Sequence, residues 1–121
     1  MSIQEIAQDL VALCKAGKFD EASAKYHADD ILSVEAMGPP GMDLESRGKK
    51  AVQAKGEWWV ANHEVHGIEV EGPFVNGSQF AVRFTIDVTH KPSGQKLHLS
   101  EVALYTVRGD KIAEERFFFA A

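Results

Sequence analysis

The chain has 121 residues, 45% of them hydrophobic, and thirteen Lys and Arg against eighteen Asp and Glu give a formal net charge of −5. A chain of this length forms one domain that buries roughly two-thirds of the surface its unfolded form exposes, so it needs neither a metal nor a disulfide for stability. An acidic balance without a basic run or a basic helical stripe argues against nucleic acid and anionic membrane as partners. Cys14 has no second cysteine to pair with and reads as a small buried hydrophobe rather than a reactive thiol. There is no charged-then-apolar leader, and no apolar run nears the ~18 residues a membrane span requires, so the expectation is a soluble, cytoplasmic protein.

Ile3, Ile6, Ala7, Leu10, Leu13 and Cys14 recur at three- and four-residue intervals. Ser2 with Glu5 three positions on forms a start signal, and Gly17 ends this first helix. Phe19, Ala22 and Tyr26 mark a short second helix ending near His27, and Ala28-Asp29-Asp30 reads as a polar turn. Ile31 to Met37 alternates as a strand with Ile31, Ser33, Glu35 and Met37 on one face, which sets Glu35 in a largely apolar segment. Gly38 to Ser46 carries too many breakers for helix or strand and reads as a loop able to cover a pocket. A third helix runs from about Lys49 to Asn62, where the stripes Val52, Gly56, Trp59, His63 and Ala51, Ala54, Trp58, Ala61 predict a broad buried face. Because successive helical residues point about 100° apart, one of Trp58 and Trp59 should pack under the sheet and the other line a cavity.

Val65 to Val75 reads as a strand, and Asn76-Gly77 is a hairpin signal into the next. From Ser78 onward, Phe80, Val82, Phe84, Ile86 and Val88 alternate with Arg83, Thr85, Asp87 and Thr89. Lys91-Pro92-Ser93-Gly94 breaks the run, Leu97 to Val107 forms another strand, and Arg108-Gly109-Asp110 turns into a last one, Ile112 to Phe119. Such an antiparallel meander with one apolar face needs a cover, and the N-terminal helices supply it.

Tyr26-His27-Ala28-Asp29-Asp30, Arg47-Gly48-Lys49-Lys50-Ala51 and the run from Gly109 to Phe118 resemble the SnoaL-like branch of the nuclear transport factor 2-like superfamily over essentially the whole chain. The resemblance implies an α+β fold, a curved antiparallel sheet wrapped around three N-terminal helices (an NTF2-like, cone-shaped barrel) with a pocket at its open end. It also implies homodimers that pack convex sheet faces together, here through Val102, Leu104 and Phe118. The superfamily hosts unrelated activities, so the fold does not fix the function. By comparison with ketosteroid isomerase, Glu35 falls at the catalytic carboxylate position. Leu10 and Ala103 (or Val102) fall at the two oxyanion-donor positions, and neither Leu10 nor Ala103 can donate. The acid of the polyketide cyclases has no counterpart in the apolar Phe119-Ala120-Ala121 end.

On the same alignment the concave face carries Leu97, Leu99, Glu101, Ala103 and Tyr105, followed by Ala113, Glu115, Phe117 and Phe119. Glu101 is then an acid among apolar neighbours, where desolvation would poise it for proton transfer; the plainer reading pairs it with Arg83 or Lys111. His63 continues the Val52-Gly56-Trp59 stripe and could stand beside Glu35 as an acid/base partner, or could merely cap its helix. His90 and His98 flank a turn and should face solvent. The spacing of the five histidines repeats no zinc pattern, so no metal and no cofactor is expected. The candidate catalytic residues are therefore Glu35, Glu101 and His63, with Trp59, Met37, Phe84, Tyr105 and Phe117 lining a pocket for a small hydrophobic molecule. Two functions fit: a cofactor-free isomerase, cyclase or dehydratase using carboxylates, or a non-catalytic ligand-binding or protein-interaction module.

Overall fold

A computed structural model describes residues 1–119. Its order is α1 (Ile3–Lys15), α2 (Phe19–Tyr26), β1 (His27–Val34), β2 (Glu45–Arg47), α3 (Lys49–Asn62), β3 (His63–Asn76), β4 (Gln79–His90), β5 (Gln95–Arg108) and β6 (Lys111–Phe118). The strands form one six-stranded sheet in the order β2-β1-β6-β5-β4-β3, which does not close. The meander β3 to β6 is antiparallel throughout, with Gly77 (φ 61°) and Gly109 (φ 65°) supplying the left-handed backbone its two tight turns need. The expected antiparallel sheet is mixed at one ladder, because β1 enters beside β6 in the parallel direction. A long connection through β2, α3 and the meander makes this possible.

α1 begins as its sequence predicts. The Ser2 hydroxyl accepts from the Glu5 amide while the Glu5 carboxylate accepts from the Ser2 amide. Its stripe Ile6, Ala7, Leu10, Val11 and Cys14 is buried against Phe80, Val82, Phe84, Ala103, Tyr105 and Ile112 of the sheet, joined by Ala22 and Tyr26 of α2. The Tyr26 hydroxyl donates to Asp9, fastening α2 to α1.

Three local expectations are corrected. Ala28-Asp29-Asp30 belongs to β1, which starts at His27 and stops at Val34 rather than running from Ile31 to Met37. The aspartates point outward, and Asp30 takes both its oxygens to Arg108 Nη2 at 2.8 and 3.1 Å. The segment Gly38 to Ser46 ends in β2, which pairs antiparallel with β1, Val34 opposite Glu45. Most consequential is α3, where only Val52 is buried, Trp58 is 49% exposed and Val60 is 63% exposed. The broad apolar face of α3 looks across a cavity rather than onto a solid core, so neither indole is packed away beneath the sheet.

Candidate functional site

The parallel register sets Ser33 of β1 opposite Glu115 of β6. Both are buried, and the Ser33 hydroxyl donates to Glu115 Oε2 at 2.7 Å. The other carboxylate oxygen, Oε1, lies 2.9 Å from Nε2 of the buried His27. Ser33 Oγ in turn accepts from Lys55 Nζ of α3 at 2.5 Å, and the same ammonium pairs with Glu35 Oε1 at 3.0 Å. A continuous chain thus runs His27, Glu115, Ser33, Lys55, Glu35, drawing on β1, β6, α3 and the start of the loop. Glu35 is fixed there because its amide donates to the Leu44 carbonyl at 2.8 Å. Burial by itself would raise the Glu115 carboxyl. The hydrogen bond from His27, its charge when protonated, the Ser33 hydrogen bond and the Lys55 charge together outweigh burial and hold Glu115 below the ordinary carboxylate value.

Glu101 on β5 stands in the opposite condition. It has no hydrogen-bond or ion-pair partner among the described residues; Arg83 donates to Ser100 at 3.3 Å, and Lys111 donates to the Lys25 carbonyl at 2.7 Å. The expected pairing with either cation is therefore absent. Burial, then the neighbouring charges of Glu35 and Glu115, push the Glu101 carboxyl up to about 7, with Lys55 acting weakly against them. Tyr105, next on the same face after Ala103, is buried and stacked on Phe80 at 4.8 Å. Its phenol is raised well above 10 by burial and by the nearby acids, so it remains a neutral hydroxyl. Burial likewise pushes the Cys14 thiol up to about 12, which makes it inert at neutral pH.

These groups meet at a cavity of about 580 Å³ with mostly apolar walls. Glu35, Glu101, His63, Trp59, Met37, Phe84, Tyr105 and Phe117 all line it. Met37, Trp58, Val60 and Val65 line it while staying more than 40% exposed, which places them at its mouth. His63 does cap α3, with Nδ1 2.8 Å from the Trp59 carbonyl, and its ring stacks on Trp59 at 4.3 Å. It is not the partner of Glu35; Lys55 is. His90 faces the cavity rather than solvent, its ring 5.3 Å from that of His63, whereas His98 is exposed. Among the described residues no group of three or more His, Cys, Asp or Glu is placed to hold a metal ion. Ala120 and Ala121, part of the apolar end compared with the cyclases, lie outside the described residues.

His27, Ser33, Lys55 and Glu115 are functional candidates that sequence reasoning passed over. The signal was clear for Lys55. Lys55 is a lone cation three residues after Val52 and four before Trp59, hence on the inward stripe. For His27 simple alternation fails: Asp29 between it and Ile31 points outward, and a register irregularity separates His27 from Leu32. Only the parallel β1–β6 register, which no local pattern encodes, brings them to Glu115.

An open α+β cone, its sheet covered by α1 and α2 and its cavity lined by acids, defines the class of cystatin-like cone proteins. The chain belongs to the SnoaL-like domain family, whose model matches residues 1–119. A Mesorhizobium loti protein of known structure, described as a "putative SnoaL-like polyketide cyclase [carbohydrate phosphatase]", is 53% identical, with a TM-score of 0.93 over 98% of this chain and 100% of that one. A Xanthomonas campestris protein of unknown function with a cystatin-like fold is 17% identical, with a TM-score of 0.80 over 100% and 92% of the two chains. A Bacillus subtilis protein described as a "putative isomerase" is 15% identical, with a TM-score of 0.77 over 99% and 90%. The last two show the shared fold alone. No match was found among curated proteins.

Proposed function

We propose that the protein binds a small apolar or aromatic molecule in this cavity and moves a proton on it without a cofactor, in an isomerisation, cyclisation or dehydration. The observation that carries this reading is Glu101: a half-buried carboxyl, unpaired among the described residues, in a cavity walled by Trp59, Phe84 and Phe117. A carboxyl that still holds its proton near neutral pH can donate it to a carbonyl or hydroxyl oxygen of a ligand. Glu35, ion-paired with Lys55, supplies a carboxylate to accept a proton, and the pair thus divides the acid and base roles. The volume suits a small organic molecule. Four carboxyl side chains, Asp20, Glu35, Glu101 and Glu115, line the mainly apolar enclosure beside a single ammonium, Lys55, which is already paired with Glu35. The lining thus offers a phosphate ester no spare lysine or arginine, and the phosphatase wording attached to the Mesorhizobium protein is not adopted. The polyketide cyclase wording attached to the Mesorhizobium protein agrees with proton transfer at carbon.

The two tryptophans of the chain both line the cavity, so intrinsic fluorescence reports on it directly. Titration with 2-naphthol should quench this emission saturably; a strictly linear response would remove the ligand-binding reading. For an identified substrate, Glu101→Gln should abolish product formation and leave 2-naphthol binding in place. The non-catalytic reading gives binding with no product in either protein. Val102 and Phe118, paired across β5 and β6 and exposed by 39% and 51%, support a homodimer through the convex face.

A further inference from the structure

We infer that His27 is a second proton-accepting group of the cavity, held in its working orientation by Glu115. This rests on the reading that the cavity takes a small aromatic molecule. His27 is buried, yet it lines the cavity. Its Nε2 is engaged by Glu115 Oε1 at 2.9 Å, and Glu115 is itself fixed by the Ser33 hydroxyl, which is fixed by Lys55. Among the described residues Nδ1 has no hydrogen-bond partner, and no buried side-chain nitrogen is left unsatisfied away from open space. Nδ1 therefore opens on the cavity. A carboxylate that accepts Nε2–H fixes the tautomer of the neutral ring with its lone pair on Nδ1, toward the ligand. Such an oriented base, with Glu115 as positioning residue, is the pairing that proton abstraction requires.

The step is a transfer from carbon to nitrogen. Nδ1 takes a proton from a carbon next to a carbonyl, the C–H electron pair becomes the enol double bond, and the carbonyl oxygen takes the proton of Glu101. Where the enol is conjugated, the imidazolium Nδ1–H then forms a new C–H bond at its far carbon, the double bonds shift to re-form the carbonyl and the O–H proton returns to Glu101, which completes an isomerisation with both groups restored. Glu35 and His27 lie at opposite ends of the hydrogen-bonded chain, so the cavity offers bases at two places on one ligand.

A substrate-independent probe is 5-nitrobenzisoxazole, a flat aromatic carbon acid. Removal of its C3 proton by a base sends the C–H pair into a nitrile, breaks the N–O bond and leaves a coloured phenolate. The wild-type protein should accelerate this reaction at pH 7, and His27→Ala should lower kcat about a hundredfold with little change in KM. Added imidazole should restore at least a tenth of the lost rate, roughly as a free base entering the vacated space does. Glu115→Gln should lower kcat by about tenfold, again with little change in KM. Should His27→Ala fail to fold, nitrogen NMR of the wild-type protein replaces it, reading the Nε2–H tautomer and a shift of His27 Nδ1 when 5-nitrobenzotriazole is added. Undiminished turnover by folded His27→Ala, or an Nδ1–H tautomer, overturns the inference and leaves the cavity reading standing. If the wild-type protein neither turns over the benzisoxazole nor binds the benzotriazole, both fall together.

Discussion

Glu101 and Glu115 stand on neighbouring strands and burial raises both, yet they end on opposite sides of the ordinary carboxylate value, because Glu115 has partners and Glu101 has none among the described residues. The Glu101 carboxyl is raised to about 7 in the folded state. The native protein then binds more protons than the unfolded chain between the ordinary carboxylate value and about 7. Its stability must fall as pH rises through that window, by about 3 kcal/mol in all. Thermal unfolding of Glu101→Gln between pH 4.5 and 8 should show this slope flattened and a higher Tm than wild type at pH 8; an unchanged slope would show that Glu101 ionises freely. For Glu115 the sign reverses. Its lowered value means that its contribution is present above the usual carboxylate range and is lost as pH falls through the folded-state value. Glu115→Ala leaves Nε2 of the buried His27 and the hydroxyl proton of the buried Ser33 without their acceptor and should cost about 3 kcal/mol at pH 7 in urea unfolding. A loss below 1 kcal/mol, on the order of an exposed pair, would mean the site relaxes or hydrates.

At the scale of elements, α3 is the part whose role changed most between sequence and structure. Apolar periodicity told which side of the helix turns inward, and Val52, Trp59 and His63 do turn that way. It could not tell whether packed side chains or empty space lie opposite. Only Val52 is buried, and the inward attachment is otherwise polar, through Lys55 to Ser33 and Glu35. Amide exchange in α3 should therefore proceed through openings of much lower free energy than exchange in α1, whose stripe is embedded in the core. Equal protection of the two helices would contradict this. Val52→Ala should cost about 2 kcal/mol and speed α3 exchange selectively. β1 shows a second limit of local reading. Asp29 and Asp30 have turn chemistry, yet they lie in a register irregularity of β1 between the β6-paired residues His27 and Leu32, and Asp30 is held by Arg108.

The cone as a whole was legible because α1 and the meander each carry strong periodicity, and helices before a one-sided sheet leave few ways to cover it. The site was legible only in part. Glu35, Glu101 and the aromatic lining follow from alternation along single elements, whereas the His27-Glu115-Ser33-Lys55 chain depends on β1 lying parallel to a strand some eighty residues later in sequence, Ser33 beside Glu115. On the outer surface, Phe118→Asp should convert a dimer to a monomer in sedimentation velocity while leaving 2-naphthol binding intact. A monomeric wild type would remove the convex-face assembly. The proposed chemistry depends most on a proton kept on Glu101 inside a mainly apolar cavity. Carbon NMR of the Glu101 side-chain carboxyl across pH 3 to 9 measures it directly. The structure predicts a midpoint near the value of about 7, shifted when 2-naphthol fills the cavity; a midpoint in the ordinary carboxylate range, indifferent to 2-naphthol, would contradict it.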